Sequence, residues 1–314
     1  MNIREATEKD IPEIVTVLKA SLGEQELALS EEIWRYKHIN NPFGKSLILV
    51  AEEEDIIVGV RAFMRWRWHN GHKEFYCFRA VDTATHPKHQ GKGIFKKLTL
   101  KAIEIGKEEG ADFVFNTPNE KSRPGYLKMG WELAGNIKVS IKPAFNSFWK
   151  IKKTIPDYEV QYRTSVSKIE NLCSEWNSKF IGEVLYTPKS VEYLKWRYEN
   201  NPLRQYEVLA ASNYYIAGYI KHHKRIKELR IVECLYLNAF PNKEINKSIR
   251  DWSLKFGAQF ISFSPELLKL KAPAVKGKFG PILTVRDLNL SPHEKEICSS
   301  IENWNYSLGD LELF

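Results

Sequence analysis

The chain has 314 residues, too many for one domain of ordinary size and enough for two. Apolar residues make up 43% and charged residues 27%, the balance of a soluble globular protein, and no apolar run long enough to cross a membrane occurs. The net charge of +8 suits an anionic ligand, but the basic residues are scattered and form no dense block with interleaved aromatics, which argues against a nucleic-acid partner.

In chain order, Asp10 is placed to cap a helix with Pro12 in its first turn, and Ile11, Ile14, Leu18 and Leu22 mark one helical face. Leu47 to Ala51, Ile56 to Arg67 and Phe75 to Thr83 read as strands, the last two joined by a hairpin at Asn70-Gly71, a pair that favours a tight two-residue turn. Along Met64-Arg65-Trp66-Arg67-Trp68-His69 strand alternation puts both tryptophans on one face and both arginines on the other. That reading is simpler than an acceptor site that stacks on a sugar or base. Next comes Gln90-Gly91-Lys92-Gly93, opening a helix whose apolar face is Ile94, Leu98, Ala102 and Ile105. A glycine loop at a helix start exposes N–H groups and lets phosphate oxygens approach the main chain. Ala111 to Phe115 then forms a short buried strand, followed by Asn119, Tyr126 and Gly130-Trp131.

The chain also repeats itself. Trp34-Arg35-Tyr36 with Asn40-Asn41-Pro42 is echoed by Trp196-Arg197-Tyr198 with Asn200-Asn201-Pro202, and Gly59 by Gly218. Arg79-Ala80-Val81-Asp82 is matched by Arg230-Ile231-Val232-Glu233, and Gly110-Ala111-Asp112-Phe113 by Gly257-Ala258-Gln259-Phe260. Landmarks in one order point to a duplicated domain, divided at 1–150 and 151–314. The second copy lacks the glycine loop, since Asn238 to Ile245 contains no glycine, and has no counterpart of Tyr126. It therefore reads as a degenerate copy that shapes a substrate cleft.

The stretch from Arg79 to Trp131 resembles the acyl-CoA-binding core of the GCN5-related N-acetyltransferases, the GNAT family. Gln90-Gly91-Lys92-Gly93-Ile94 fills the family loop, with Phe95 where Gly or Ala is usual, and Asn119, Tyr126, Gly130 and Trp131 fill the later signature. The opening Ile3-Arg4-Glu5-Ala6-Thr7 also resembles the family's first strand, so the resemblance covers roughly residues 1–140. It implies an α/β fold of two tandem GNAT-like domains, each a mixed, mostly antiparallel sheet flanked by helices. It further implies acetyl-CoA as donor, held by Gln90, Gly91, Lys92, Gly93 and Ile94, by the strand around Val81, Thr83 and Thr85, and by Asn119 and Ser122. Tyr126 would be the general acid. Asp82 has two readings, the base that takes a proton from the amine or a buried partner of Arg79, and Glu233 and Arg230 repeat the ambiguity. Phe95 must point away from the phosphates or alter the cofactor's seat, and Pro124-Gly125 should shorten or distort the first turn before Tyr126.

The function expected from this set is direct acetyl transfer, within a ternary complex, to a primary amine of a small molecule such as an amino sugar or its nucleotide-linked form. An aminoacyl or peptidyl transferase of the tandem type and a non-catalytic acyl-CoA sensor are the alternatives. Cys77, Cys173, Cys234 and Cys298 lie far apart without a Cys-x-x-Cys pair and read as buried reduced thiols, with no metal expected. The first residues lack an apolar core, so a cytoplasmic protein with no membrane partner is expected.

Overall fold

The structure is a computed structural model and describes residues 1–22, 30–71, 73–145, 147, 156–180, 182, 184–224, 226–237, 243–270 and 274–311. Its first elements are strand β1 (Asn2–Glu5), helices α1 (Ile11–Leu22) and α2 (Glu31–His38), and strands β2 (Leu47–Glu53), β3 (Ile56–Asn70) and β4 (Lys73–Thr85). Helix α3 (Ile94–Glu108), strand β5 (Phe113–Asn116), helix α4 (Arg123–Lys128) and strands β6 (Glu132–Asn136) and β7 (Val139–Pro143) follow. The rest of the chain begins with β8 (Val160–Tyr162), α5 (Val166–Ser178), β9 (Leu185–Tyr186) and α6 (Val191–Leu194), then β10 (Glu207–Ala211), β11 (Tyr214–His223) and β12 (Ile226–Tyr236). It ends with α7 (Lys243–Phe256), β13 (Phe260–Phe263), β14 (Val275–Gly277), β15 (Ile282–Asp287), α8 (Pro292–Cys298), β16 (Trp304–Asn305) and α9 (Leu308–Leu311).

Two compact units result, and neither is continuous in sequence. The first comprises Met1–His69, Lys73–Gly135 and Ile282–Ser300; the second comprises Asn70–His72, Asn136–Pro281 and Ile301–Phe314. The expected halves 1–150 and 151–314 map onto these units only in part, and the expected joint itself lies outside the described residues.

In the first unit the sheet order is β1-β2-β3-β4-β5-β15-β6. β1, β2 and β3 pair antiparallel, β4 and β5 parallel, and β15 lies antiparallel to β5 with Thr284 opposite Asn116. The core between this sheet and its helices contains Leu49, Phe63, Phe78, Leu98, Ala102, Val114 and Tyr126. Burying each large aliphatic side chain there contributes about 1.5–3 kcal/mol. Ile11, Ile14 and Leu18 are buried as their spacing predicts, while the side chain of Leu22 lies outside the described residues. Asp10 is not the cap of α1. It ends a one-turn helix before α1, accepts from the Thr7 N–H at 2.6 Å and is held by Arg4. Gly59 sets the height of α3 over the sheet, because a Cβ there would stand 2.7 Å from Ile94 Cγ2. The first turn of α3 therefore rests directly on β3.

In the second unit the sheet order is β14-β7-β13-β12-β11-β10-β8. β10, β11 and β12 form an antiparallel meander, β12 pairs parallel to β13, and β7 lies antiparallel to both β13 and β14. Leu229, Ile231, Ile245, Ile249, Phe256 and Ile261 are among the core residues under α7. Both sheets are mixed and mostly antiparallel with helices against them, as the sequence predicts. All four cysteines are buried and free, and burial pushes the Cys173 thiol up to about 12. No helix among the described residues is long and apolar enough to cross a membrane.

Candidate functional site

Three groups of residues in the first unit carry the chemistry singled out from the sequence. The first is the loop into α3. Gly91 and Gly93 have φ of +80° and +73°, left-handed conformations that side chains other than glycine adopt at a cost, and a Cβ at either would meet nothing within 4 Å. The loop thus presents open main chain at the start of a 15-residue helix that has no acidic residue in its first turn and no side-chain cap at Gly93. Unpaired N–H groups and the positive end of the helix favour an anion there. Lys92 and His89 both reach Glu53, at 2.9 and 2.8 Å, and the hydrogen bond from Lys92, then that with His89, draws the Glu53 carboxyl below its ordinary range. Gln90 points back along the chain, donating to the Thr85 carbonyl at 3.3 Å.

The second group surrounds Tyr126. Pro124 lies in the first turn of α4, where a missing N–H costs no helical bond, and the helix is only six residues long, as the Pro-Gly pair predicts. Tyr126 is buried, with 4% of its surface exposed, between Trp131 at 5.0 Å and Phe95 at 5.5 Å, both edge-on. Phe95 does turn aside from the exposed face of the loop, toward α4, where its ring lies over Gly125. Arg61 on β3 donates through Nη1 to the Tyr126 hydroxyl at 2.7 Å. Its guanidinium is fully buried, sits near the rings of Phe63, Phe95 and Tyr126, and has no hydrogen-bond partner at Nε or Nη2. Buried charged donors are rarely left unmatched, because the desolvation cost of each falls on the fold.

The third group is built on Asp82, whose φ of +37° breaks the regular course of β4. Pairing of β4 with β5 runs from Cys77–Phe113 to Arg79–Phe115 and, among the described residues, ends there. Asp82 lies just beyond that point and its carboxylate is held by Lys37 and by His38 Nε2 at 2.8 Å, both from α2. His38 Nδ1 is 2.9 Å from the Ser46 hydroxyl. Burial alone would raise the Asp82 carboxyl, but the charge of Lys37 and the hydrogen bond from His38 overcome it and hold the group far below the usual carboxylate range. Burial lowers His38, more than Asp82 raises it, so the imidazole is neutral near pH 7 and donates from Nε2. The partner of Asp82 is therefore Lys37 with His38, while Arg79 lies over the rings of Trp66 and Phe115. A carboxylate already holding two donors is a weak proton acceptor. In the second unit Glu233 is bound by Lys189 at 2.8 Å and Tyr198 at 2.9 Å, while Arg230 donates to Glu228 and Ser262.

The remaining expected residues take local roles. Asn119 fixes the turn before α4, its side-chain oxygen accepting from the N–H of Ser122, the N-cap residue, at 2.9 Å. Ser122 precedes the helix, Thr83 donates to the Val60 carbonyl at 3.3 Å, and Val81 is buried. Trp66 and Trp68 both point into the core, edge-on to Phe115, as strand alternation predicts. No group of three or more potential metal ligands occurs among the described residues. Sequence reasoning missed Arg61, Lys37 and His38. Arg61 stands out as the single charge in Ile56–Met64, an apolar run that must face a core, and that was its available signal.

The acetyltransferase (GNAT) domain family matches residues 2–134. Solved structures of similar fold include a probable N-acyltransferase, described as a conserved protein of unknown function, from Enterococcus faecalis, with 12% identity, a TM-score of 0.68 and coverage of 92% of this chain and 73% of that one. A GCN5-related N-acetyltransferase from Anabaena variabilis has 14% identity and a TM-score of 0.61, over 96% of this chain and 75% of its own. Eis1 from Mycobacterium abscessus has 10% identity and a TM-score of 0.57, over 96% and 76%. No curated protein matches the sequence.

Proposed function

We propose that the protein, whose residues 2–134 match the acetyltransferase (GNAT) domain family, transfers an acetyl group from acetyl-CoA to a primary amine of a small molecule, an amino sugar or a nucleotide-linked amino sugar. The coarser reading, an acyltransferase, is supported by the fold as a whole. The observation that carries the finer one is the open glycine loop on the N-terminus of α3 with Tyr126 packed on the first turn of the same helix through Phe95. The residues fit the donor: Gly91, Gly93 and the first N–H groups of α3 would hold its diphosphate, since nothing fills the space above either glycine. Bound there, acetyl-CoA supplies an acetyl thioester open to attack by an amine.

The chain's own part is binding and proton management. Because Arg61 donates to the Tyr126 oxygen, Tyr126 keeps its own proton at Oη free for a leaving group. The irregularity at Asp82, held by Lys37 and His38, fixes the course of β4 where it parts from β5, which makes Asp82 a positioning residue in this reading. The second unit is read as a degenerate copy. Its Glu233 sits in a fully buried ion pair with Lys189, and its loop before α7 lies outside the described residues.

A calorimetric titration with acetyl-CoA tests the proposal. One site per chain is expected, and no binding overturns it. Gly93→Val places a branched side chain in the open space above the loop and forces a left-handed backbone on it, so affinity for acetyl-CoA should fall by about 10-fold or more with the fold retained. Unchanged affinity in that variant would remove the loop from the donor site.

A further inference from the structure

The second unit holds a cavity of its own, of about 660 Å³, on the α7 side of its sheet. In the first unit α3 is accompanied on that side by α4; in the second, β13 is followed among the described residues by turns around Pro265–Leu267, and the cavity lies beside Leu270. Its floor is apolar, formed by Ala144, Ile249, Ile261 and Leu270, three of them members of the core. Phe145 borders it with 64% of its surface exposed.

The rim is cationic. Of the twelve lining residues four are basic, Lys142, Lys243, Lys247 and Arg250, and none is a carboxylate. Lys243, Lys247 and Arg250 recur at helical spacing along α7 and so share one face, with Lys243 at the end of the helix where the dipole also favours negative charge. A stripe of surface lysines alone carries no ligand. An apolar floor of ligand size beneath a predominantly cationic rim, in which Arg250 lies 3.7 Å from Asp251, does, because it matches a molecule with one hydrocarbon part and one anionic part.

We propose that this cavity binds an aliphatic carboxylate, its hydrocarbon chain on the Ile249–Ile261–Leu270 floor and its carboxylate on the Lys243–Lys247–Arg250 rim. The site is independent of the reading given to the first unit. Dodecanoate, kept below its micellar concentration, should bind the full-length protein saturably, at one site abolished by change in the cavity. Hexanoate has six fewer methylenes to bury, so it should bind at least about 10-fold more weakly. The double variant K247E/R250E changes only exposed positions, and its circular dichroism should match the parent while its dodecanoate affinity falls about 10-fold or more. Uncharged dodecanol should also bind more weakly than dodecanoate. Absence of saturable binding, equal affinity for dodecanol, or unchanged affinity in the folded double variant would each overturn the assignment.

Discussion

Tyr126→Phe is expected to lower acetyl transfer by about 10²-fold or more while leaving acetyl-CoA affinity near that of the parent, as removal of a general acid does. The same change withdraws the acceptor from Arg61 Nη1, in a guanidinium that already has two buried donors without partners. A stability loss of about 1–3 kcal/mol should therefore accompany the kinetic loss. The two effects separate cleanly. Urea unfolding reports the lost hydrogen bond, and kcat measured well below the unfolding midpoint reports the lost proton. A less stable variant with full kcat would make Tyr126 an anchor for Arg61 and nothing more. Arg61→Met provides the complementary arm. It replaces the guanidinium with an apolar chain that the rings of Phe63 and Phe95 can accept, so it should cost less stability than its burial suggests.

Asp82→Asn is expected to cost about 3 kcal/mol of stability at neutral pH. Asparagine keeps the volume and tolerates a positive φ, so the change isolates the charge. What it leaves behind is Lys37, with only 9% of its side chain exposed and its carboxylate gone. Breaking a buried pair from one side costs about 3–5 kcal/mol, and the residual 15% exposure of Asp82 puts this case at the low end. The pH dependence gives a sharper test. The folded Asp82 carboxyl titrates below its unfolded value of about 3.9, so its contribution is fully present above that value and is lost as pH falls through the folded one. The difference in urea midpoint between parent and variant should be level from about pH 7 to 5 and shrink toward pH 2. A difference that ignores pH would mean the ion pair with Lys37 and the hydrogen bond from His38 do not form.

Much of the first unit was legible because its signals are local. Strand alternation at Trp66 and Trp68, helical spacing at Ile94, Leu98 and Ala102, and the glycines at 91 and 93 each act within a few residues, and each was realised. The partners of Asp82 were not legible, since α2 reaches β4 across 44 residues and no spacing rule spans that distance. Arg61 was legible only in part. Its place as the single charge in an apolar strand signals burial, but only the meeting of β3, α3 and α4 shows that the charge is buried against a tyrosine. The aligned pair Asp82 and Glu233 shows how far a repeat informs. It carried the position of a carboxylate on the third long strand of each unit, but not the cation, which comes from α2 in one case and from Lys189 in the other.

The placement of β15 governs how this chain acquires its shape. The β5 edge in the first unit is completed by residues 282–287, some 166 positions after β5 ends, and β7, made early, belongs to the sheet of the second. During synthesis the sheet of the first unit therefore cannot be completed until residues 282–287 have left the ribosome, and until then β5 waits as an unpaired edge prone to wrong partners. A fragment ending after residue 134, the span that resembles the family, would carry the glycine loop and Tyr126 on an incomplete sheet. Adding a peptide spanning 282–300 in trans should restore its order, as a missing strand restores a severed fold.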